Sequence, residues 1–301
     1  MYNWKEVLDY INGEIAGMSF ERQPAELYEP IRYVLSMGGK RIRPVLMLMA
    51  YNLYKEKVED DLMDRADMRR GMATVHKKWD DNAAILSGDS MLVMAYRYMQ
   101  QGCPAEHLGD VMSLFTETAL EIGEGQQYDM EFEARADVSE EEYIEMIRLK
   151  TSVLLACALK IGAWLGGAPR QDAELLYRFG ENLGLAFQLQ DDYLDVYGDP
   201  AVFGKKIGGD ILCNKKTYML INALGRALPA DRERLEQWLK KEEGTYVPEA
   251  LYDKMGIRAL CDEKIRFYYE RAREILDKVN LPEERKEPLW EMAQSLLNRK
   301  S

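Results

Sequence analysis

The 301-residue sequence predicts an all-α protein. Apolar residues recur at helical spacing along most of the chain, strand-like alternation between turn signals is nearly absent, and only ten prolines interrupt the pattern. Because 47% of the residues are hydrophobic, a large core can form. We see no repeat, linker or low-complexity tract, so the simplest prediction is one helical domain spanning residues 1–301.

Individual helices follow from this periodicity. It predicts helices over residues 81–99 and 106–131. Ser139 and Glu142 have the spacing of a capping box, and the helix that they open is predicted to end near Gly166. The next helix is predicted from Gln171 to Gly198, and later ones over residues 216–228 and 255–279.

Charge and cysteine usage exclude several classes of protein. A formal net charge of -12 argues against a nucleic-acid partner, which needs a basic face. The apolar run over residues 45–51 is too short for a membrane span, and the first residues lack a signal-peptide pattern. The four cysteines are far apart, without metal-ligand spacing. We therefore expect reduced thiols and a cytoplasmic location.

Two acidic clusters share the spacing i, i+1, i+4. They are Asp60, Asp61 and Asp64, and Asp191, Asp192 and Asp195. In a helix such positions lie on nearly one face, where three carboxylates repel one another unless cations bind among them. Magnesium prefers carboxylates, waters and phosphate oxygens, so each cluster is a candidate Mg²⁺ site. The alternative for one cluster alone is a solvated acidic helix face.

Basic residues alternate with these clusters. The run from Gly38 to Pro44 contains Gly39, Lys40 and Arg43 and opens an apolar helix, where backbone amides and cationic side chains attract anions. Further polar or basic positions surround the acidic clusters: Arg69, Arg70, Lys150, Thr151, Lys205 and Lys215. This order suits two diphosphate groups, one bridged by metal ions and one held by Arg and Lys.

The two histidines point to no catalytic centre. His76 and His107 have no cysteine or second histidine nearby, so a zinc site is not expected. No Ser-His-Asp or Cys-His arrangement can be assembled from the sequence.

From about Glu29 to its C-terminus, the chain resembles the trans-isoprenyl diphosphate synthases, also called polyprenyl synthetases. The resemblance rests on the Gly-Gly-Lys-Arg-x-Arg-Pro run, both Asp-rich motifs, the Arg-Arg-Gly that follows the first, and several shorter motifs. The shorter motifs are Ser87-Gly88-Asp89, Gly125-Gln126-x-x-Asp129, Lys150-Thr151, Phe187-Gln188 and Gly204-Lys205. A second Asp-Asp-x-x-Asp motif is typical of chain elongation rather than of terpene cyclases.

This resemblance implies an isoprenoid-synthase-type helical bundle around a central cavity, usually a homodimer. It implies Mg²⁺ held by the six clustered aspartates. It implies that isopentenyl diphosphate is bound by Gly39, Lys40, Arg43 and Arg70. It implies that an allylic diphosphate is contacted by Arg69, Lys150, Thr151, Gln188, Lys205 and Lys215. The residues expected to take part in catalysis are Asp60, Asp61, Asp64, Arg69, Lys150, Asp191 and Lys205.

The sequence departs from the family pattern just before Asp60. The family places an apolar helix and a histidine ahead of the first Asp-rich motif, whereas here a polar stretch, residues 54–59, leads directly into it. Three explanations remain open: a segment absent from the given chain, a deletion that impairs catalysis, or a re-registered preceding helix. An intact mass of 34.8 kDa would exclude the first. Because bulky side chains in this region usually limit product length, farnesyl, geranylgeranyl and longer products all remain possible.

Three other functions compete with an elongating prenyltransferase. The chain could be a non-catalytic or regulatory subunit that keeps the fold and binds a partner. It could be a terpene cyclase, which needs no isopentenyl diphosphate. It could also be an acidic helical scaffold, which would not bind diphosphates in a Mg²⁺-dependent way.

Overall fold

The computed structural model confirms the all-α class. It describes residues 4–18, 24–37, 41, 42, 45, 46, 49, 68, 69, 72–198, 215–239 and 249–297. Within these residues the only strands are Met68–Arg69 (β1) and Met72–Ala73 (β2), which pair antiparallel. Everything else that is regular is helical.

Of the helices that the structure describes along their whole length, α1 Trp4–Gly17 and α2 Ala25–Ser36 precede the hairpin, and residues 42, 45, 46 and 49 are also helical. After it come α3 Val75–Lys78, α4 Asp81–Gly102, α5 Ala105–Ala134 and α6 Glu140–Ile147. A π-helical turn, π1 Arg148–Ser152, joins α6 to α7 Val153–Leu165, and α8 Arg170–Tyr197 follows. The last helices are α9 Tyr218–Arg226, α10 Pro229–Leu239, α11 Glu249–Lys254, α12 Ile257–Asp277 and α13 Glu283–Leu297.

The helices expected from periodicity are confirmed, with ends that shift by a few residues. The capping box is present in full. The Glu142 amide donates to Ser139 Oγ at 3.2 Å, and the Ser139 amide donates to Glu142 Oε2 at 2.9 Å. Two amides that begin helix α6 are thereby satisfied, which fixes where this helix starts.

Contacts divide the chain into two compact units. Unit 1 comprises Met1–Thr116 and Ala158–Ala173, and unit 2 comprises Glu117–Cys157 and Glu174–Ser301. In unit 1, an apolar cluster joins α2, α3 and α4 through Ile31, Val34, Leu35, Val75, Ala84 and Met91. The prediction of a single domain over the whole chain stays a prediction.

Unit 2 has a larger apolar cluster. It joins α5, α6, α8, α9, α10, α11 and α12 through buried side chains that include Tyr143, Leu189, Tyr218, Tyr252 and Cys261. Burying one large apolar side chain stabilises a fold by about 1.5–3 kcal/mol, so this cluster holds the seven helices together.

In the part of the chain that the structure describes, no helix has the length and apolar character needed to cross a membrane. Three cysteines in that part, Cys103, Cys157 and Cys261, are thiols rather than disulfides, and the last two are buried. Cys213 lies outside the described residues.

Candidate active site

Unit 2 contains a pocket with an empty volume of about 380 Å³, including the part that opens to solvent. Its walls come from α5, α6, π1, α8 and the residues that precede α9. The lining residues are Asp129, Tyr143, Met146, Ile147, Lys150, Gln188, Asp192, Lys215, Lys216 and Thr217. Three lysines face two aspartates, so the fully ionised lining carries one net positive charge. Such a lining favours an anionic ligand.

Asp129 on helix α5 organises two of the lysines. Lys150 Nζ donates to Asp129 Oδ2 at 2.8 Å, and Lys215 Nζ donates to the same oxygen at 3.3 Å. Burial raises the pKa of Asp129, but the two ammonium groups outweigh burial and bring this pKa below its ordinary value. One ionised carboxylate therefore holds two cations side by side at the pocket wall.

Lys216 and Thr217 complete the cationic side of the pocket. Lys216 Nζ donates to the backbone carbonyl of Glu133 at 3.3 Å, and burial lowers the pKa of this lysine. Thr217 Oγ1 accepts from the Leu220 amide at 3.3 Å and so caps helix α9. This cap fixes the backbone of Thr217 and so restrains Lys215 and Lys216, which directly precede it in the chain.

The π-helical turn π1 presents Lys150 and Thr151, and two glycines allow it to pack. A Cβ at Gly125 would lie 2.3 Å from the Lys150 amide nitrogen, and a Cβ at Gly184 would lie 2.6 Å from Ser152 Cα. Neither position has room for a side chain. Thr151 Oγ1 also donates to Gln188 Oε1 at 3.2 Å. Single π-helical turns of this kind are frequent at functional sites.

Asp192 has a different environment from Asp129. Its Oδ2 accepts a hydrogen bond from the Tyr143 hydroxyl and another, at 3.4 Å, from the Tyr218 amide. The residue is only 4% exposed, and Tyr252 and Cys261 are buried close by. Burial raises the pKa of Tyr252, and the negative charge of Asp192 raises that pKa further.

The described residues bring five of the predicted site residues together at the pocket: Lys150, Thr151, Gln188, Asp192 and Lys215. Asp191, which precedes Asp192 in the chain, is half-buried, and Asp195 is buried. Arg69 lies in strand β1, where only its backbone is described. Eight predicted residues lie outside the described residues: Gly39, Lys40, Arg43, Asp60, Asp61, Asp64, Arg70 and Lys205. The polar stretch before Asp60 also lies outside them.

Sequence reasoning assigned no role to Tyr143, and it named Asp129 only as part of the Gly125-Gln126-x-x-Asp129 motif, although both residues line the pocket. Lys216, which also lines the pocket, was expected only as one of the basic residues that follow the second acidic cluster. The motif was the signal for Asp129, and the structure places this acidic residue on a buried helical stripe with Gly125 and Gln126, where it needs a specific partner. The tyrosine was not distinguishable from an ordinary core residue.

The donor chemistry of the second acidic cluster fits a magnesium ion in part. Asp191, Asp192 and Asp195 are carboxylates within about one turn of α8, a ligand type that suits a hard cation, and Asp191 is the least buried of the three. Within the described ranges, however, no group of three or more His, Cys, Asp or Glu side chains is arranged to hold a metal ion. Since the first acidic cluster lies outside these ranges, the two-cluster site stays a prediction.

Fold and pocket together define a class: a helical protein with a pocket whose ionised lining carries a net positive charge. The sequence model of the family described as polyprenyl synthetase matches residues 55–255. A geranylgeranyl diphosphate synthase of Methanosarcina mazei is 39% identical over 230 residues, which are 69% of this chain and 71% of that protein. A geranylgeranyl pyrophosphate synthase of Geoglobus acetivorans is 33% identical over 304 residues, 92% of each chain.

Solved structures agree with this relationship. The crystal structure of a geranylgeranyl pyrophosphate synthase superposes with a TM-score of 0.90 at 38% identity and covers 100% of both chains. The chain therefore belongs to the polyprenyl synthetase family. It is a prenyl diphosphate synthase, an enzyme that elongates a prenyl chain, as the resemblance predicted. These findings favour elongation over the cyclase, subunit and scaffold alternatives.

Proposed function

We propose that this enzyme condenses isopentenyl diphosphate with an allylic diphosphate in the presence of Mg²⁺ and makes geranylgeranyl diphosphate. The observation that carries the proposal is the pair of ammonium groups, Lys150 and Lys215, that Asp129 holds at the pocket. We propose a geranylgeranyl product because several relatives, including those of Methanosarcina mazei and Sulfolobus acidocaldarius, are geranylgeranyl diphosphate synthases.

In this proposal, Lys150 and Lys215 bind the diphosphate of the allylic substrate. As the allylic C–O bond breaks, its electron pair stays on the diphosphate oxygen, and the two ammonium groups stabilise the new negative charge. Asp129 keeps both lysines in place before the substrate arrives, so little reorganisation is needed during the reaction. Thr151 and Gln188 position each other beside Lys150.

The carbon skeleton needs a dry, apolar surface, and Met146 and Ile147 supply one at the same pocket. The double bond of isopentenyl diphosphate attacks the allylic carbon, a C–C bond forms, and a proton is lost from the adjacent carbon. The departing diphosphate accepts that proton, so no protein base is required. The two acidic clusters would hold Mg²⁺, which would supply further charge neutralisation for the leaving group.

Three other expectations belong to the same proposal. The enzyme forms a homodimer, isopentenyl diphosphate is held by Gly39, Lys40, Arg43 and Arg70, and the location is cytoplasmic. Lys205 and Arg69 contact the allylic diphosphate. None of these residues has a described side chain, so the resemblance in sequence is what supports their roles.

The test is product analysis. The wild-type protein is incubated with isopentenyl diphosphate and, separately, dimethylallyl, geranyl or farnesyl diphosphate, and the dephosphorylated products are separated by chromatography. We expect geranylgeraniol from each starter with Mg²⁺ and no product with a chelator. A matched Lys150→Met variant should lose most of the activity. Hydrocarbon release without consumption of isopentenyl diphosphate would indicate a cyclase, and the absence of diphosphate release would indicate a non-catalytic subunit.

A further inference from the structure

The neighbouring residues Asp191 and Asp192 lie on different faces of helix α8. At 100° per residue, Asp192 shares a face with Leu185 and Val196, which belong to the apolar cluster of unit 2. Asp191 lies about 100° further around the helix. Asp191 and Asp192 are therefore not equivalent carboxylates: Asp192 is buried at the pocket wall beside the apolar cluster, whereas Asp191 is half-buried.

The contacts of Asp192 are those of a structural acceptor. Its Oδ2 accepts from the Tyr143 hydroxyl of α6 and from the Tyr218 amide at the start of α9. Magnesium requires near-octahedral geometry and keeps several of its waters, so it needs space around the ligand oxygen. The Oδ2 oxygen of Asp192 already accepts two hydrogen bonds, so little of that space is left at this oxygen.

These hydrogen bonds connect Asp192 to the segment that carries two of the pocket lysines. Tyr218 follows Lys215, Lys216 and Thr217 directly, and all three of these line the pocket. Holding the Tyr218 amide against α8 therefore fixes the backbone that carries Lys215. Tyr143 ties the same carboxylate to α6, one turn before π1.

We propose that Asp192 is a positioning residue and not a metal ligand: it ties α6 and the start of α9 to α8, and so places Lys215 at the pocket. The metal-binding role at this motif then falls to Asp191, which is half-buried, whereas Asp195 is as buried as Asp192. The inference rests on the proposed function only in assuming that a metal binds at this motif at all.

Replacement by asparagine separates the two roles. Asn keeps one oxygen that can accept from Tyr143 and from the Tyr218 amide, but it is a weaker ligand for a hard cation. The experiment compares Asp192→Asn, Asp192→Ala, Tyr143→Phe and the matched control Asp191→Asn. For each variant, the Tm is measured, and Mn²⁺ is titrated in the presence of inorganic pyrophosphate with detection of free Mn²⁺ by electron paramagnetic resonance.

We expect Asp192→Asn to keep Mn²⁺ affinity within about twofold of wild type, and Asp191→Asn to lower it at least about tenfold. Asp192→Ala should lower the Tm by about 5 °C, because the Tyr143 hydroxyl and the Tyr218 amide lose their acceptor. Tyr143→Phe should lower the Tm by less, because the buried Asp192 carboxylate loses only one of its two donors. Asp192→Ala should also raise the Kd of pyrophosphate measured without metal, since Lys215 loses its position, and Asp192→Asn should restore it. This rescue separates positioning from general stability.

Two results would overturn the inference: a loss of Mn²⁺ affinity in Asp192→Asn as large as that in Asp191→Asn, or an unchanged Tm in Asp192→Ala. Failure of the proposed function gives a different pattern. If the wild-type protein binds no Mn²⁺ with pyrophosphate, the metal-dependent proposal is wrong, while the Tm values and the metal-free Kd values still decide whether Asp192 positions Lys215.

Discussion

Asp129 and Asp192 line the same pocket, and the protein accommodates their charges in different ways. Asp129 is surrounded by two ammonium groups, whereas Asp192 accepts from a tyrosine hydroxyl and a backbone amide. A buried ion pair leaves an uncompensated charge when one partner is removed, but a hydrogen-bonded acceptor leaves only unsatisfied neutral donors. The first arrangement suits a site whose lysines must remain charged for substrate, and the second suits a fixed junction between helices.

The largest loss of stability is expected when the Asp129 carboxylate that pairs with the two lysines is removed. Asp129→Asn leaves Lys150 and Lys215 close together without their shared carboxylate, so the free energy of unfolding should fall by about 3 kcal/mol. Urea-induced unfolding measures this change. The control is Asp137→Asn, because the Asp137 side chain is 80% exposed in its pair with Arg135 and its loss should leave the urea midpoint nearly unchanged. Equal effects of the two variants would contradict the account.

A smaller loss of stability should follow from a substitution on α5 that displaces π1. Gly125→Ala places a Cβ against the Lys150 backbone, which should cost about 1–3 kcal/mol and displace Lys150 from Asp129. Gly123 is two residues earlier on the same helix, and a Cβ there meets nothing within 4 Å. Gly123→Ala should therefore stabilise by about 0.5–1 kcal/mol. Thermal unfolding and steady-state activity of the two variants check the contrast, and a fully active, stable Gly125→Ala enzyme would refute it.

Helix caps provide a third contrast. Thr217→Ala and Ser139→Ala each remove a side chain that accepts from a helix-start amide, so each should cost about 1 kcal/mol. Thr217 lines the pocket directly after Lys216, whereas Ser139 is not among the pocket-lining residues. We expect only Thr217→Ala to raise the KM for the allylic diphosphate, by several-fold. A similar rise in Ser139→Ala would mean that the effect reflects general loosening.

The sequence predicts the helices and several pocket residues, but it predicts less about the surroundings of Asp129 and Asp192. Helical periodicity and the Ser139 cap predicted the helices of unit 2, and the resemblance to the family implied Lys150, Thr151, Gln188 and Lys215, which the structure brings together at the pocket. The direction in which Asp192 points could not be predicted from spacing alone. Positions i and i+1 differ by about 100° on a helix, and which of the two faces the core depends on how α6 and α9 pack.

The partners of Asp129 could not be predicted from the sequence either. The residue was named as part of the Gly125-Gln126-x-x-Asp129 motif, but its partners Lys150 and Lys215 are 21 and 86 residues away along the chain. Only packing brings them together. Nor does spacing predict the π-helical turn, because its extra residue in the helix is stabilised by the close approach of Gly125 and Gly184 from two other helices.

The smallest effect concerns pH. The lysines hold the pKa of Asp129 below its ordinary value of about 3.9, so the stability that this ionised group contributes is present above about pH 4 and is lost as the pH falls through the folded-state pKa. The difference in urea midpoint between wild type and Asp129→Asn should be constant near neutrality and shrink below about pH 4. A difference that already vanishes near pH 6 would contradict the assignment.

The most direct test of the central claim, that lysines held by Asp129 bind the substrate diphosphate, is a calorimetric titration. A non-hydrolysable farnesyl diphosphate analogue is titrated into wild type, Lys215→Met and the control Lys264→Met, whose lysine pairs with Glu140 at 2.7 Å and is not among the pocket-lining residues. We predict that Lys215→Met raises the Kd at least about tenfold, equivalent to about 1.4 kcal/mol, and that Lys264→Met leaves it within about twofold. An unchanged Kd in Lys215→Met would contradict the account.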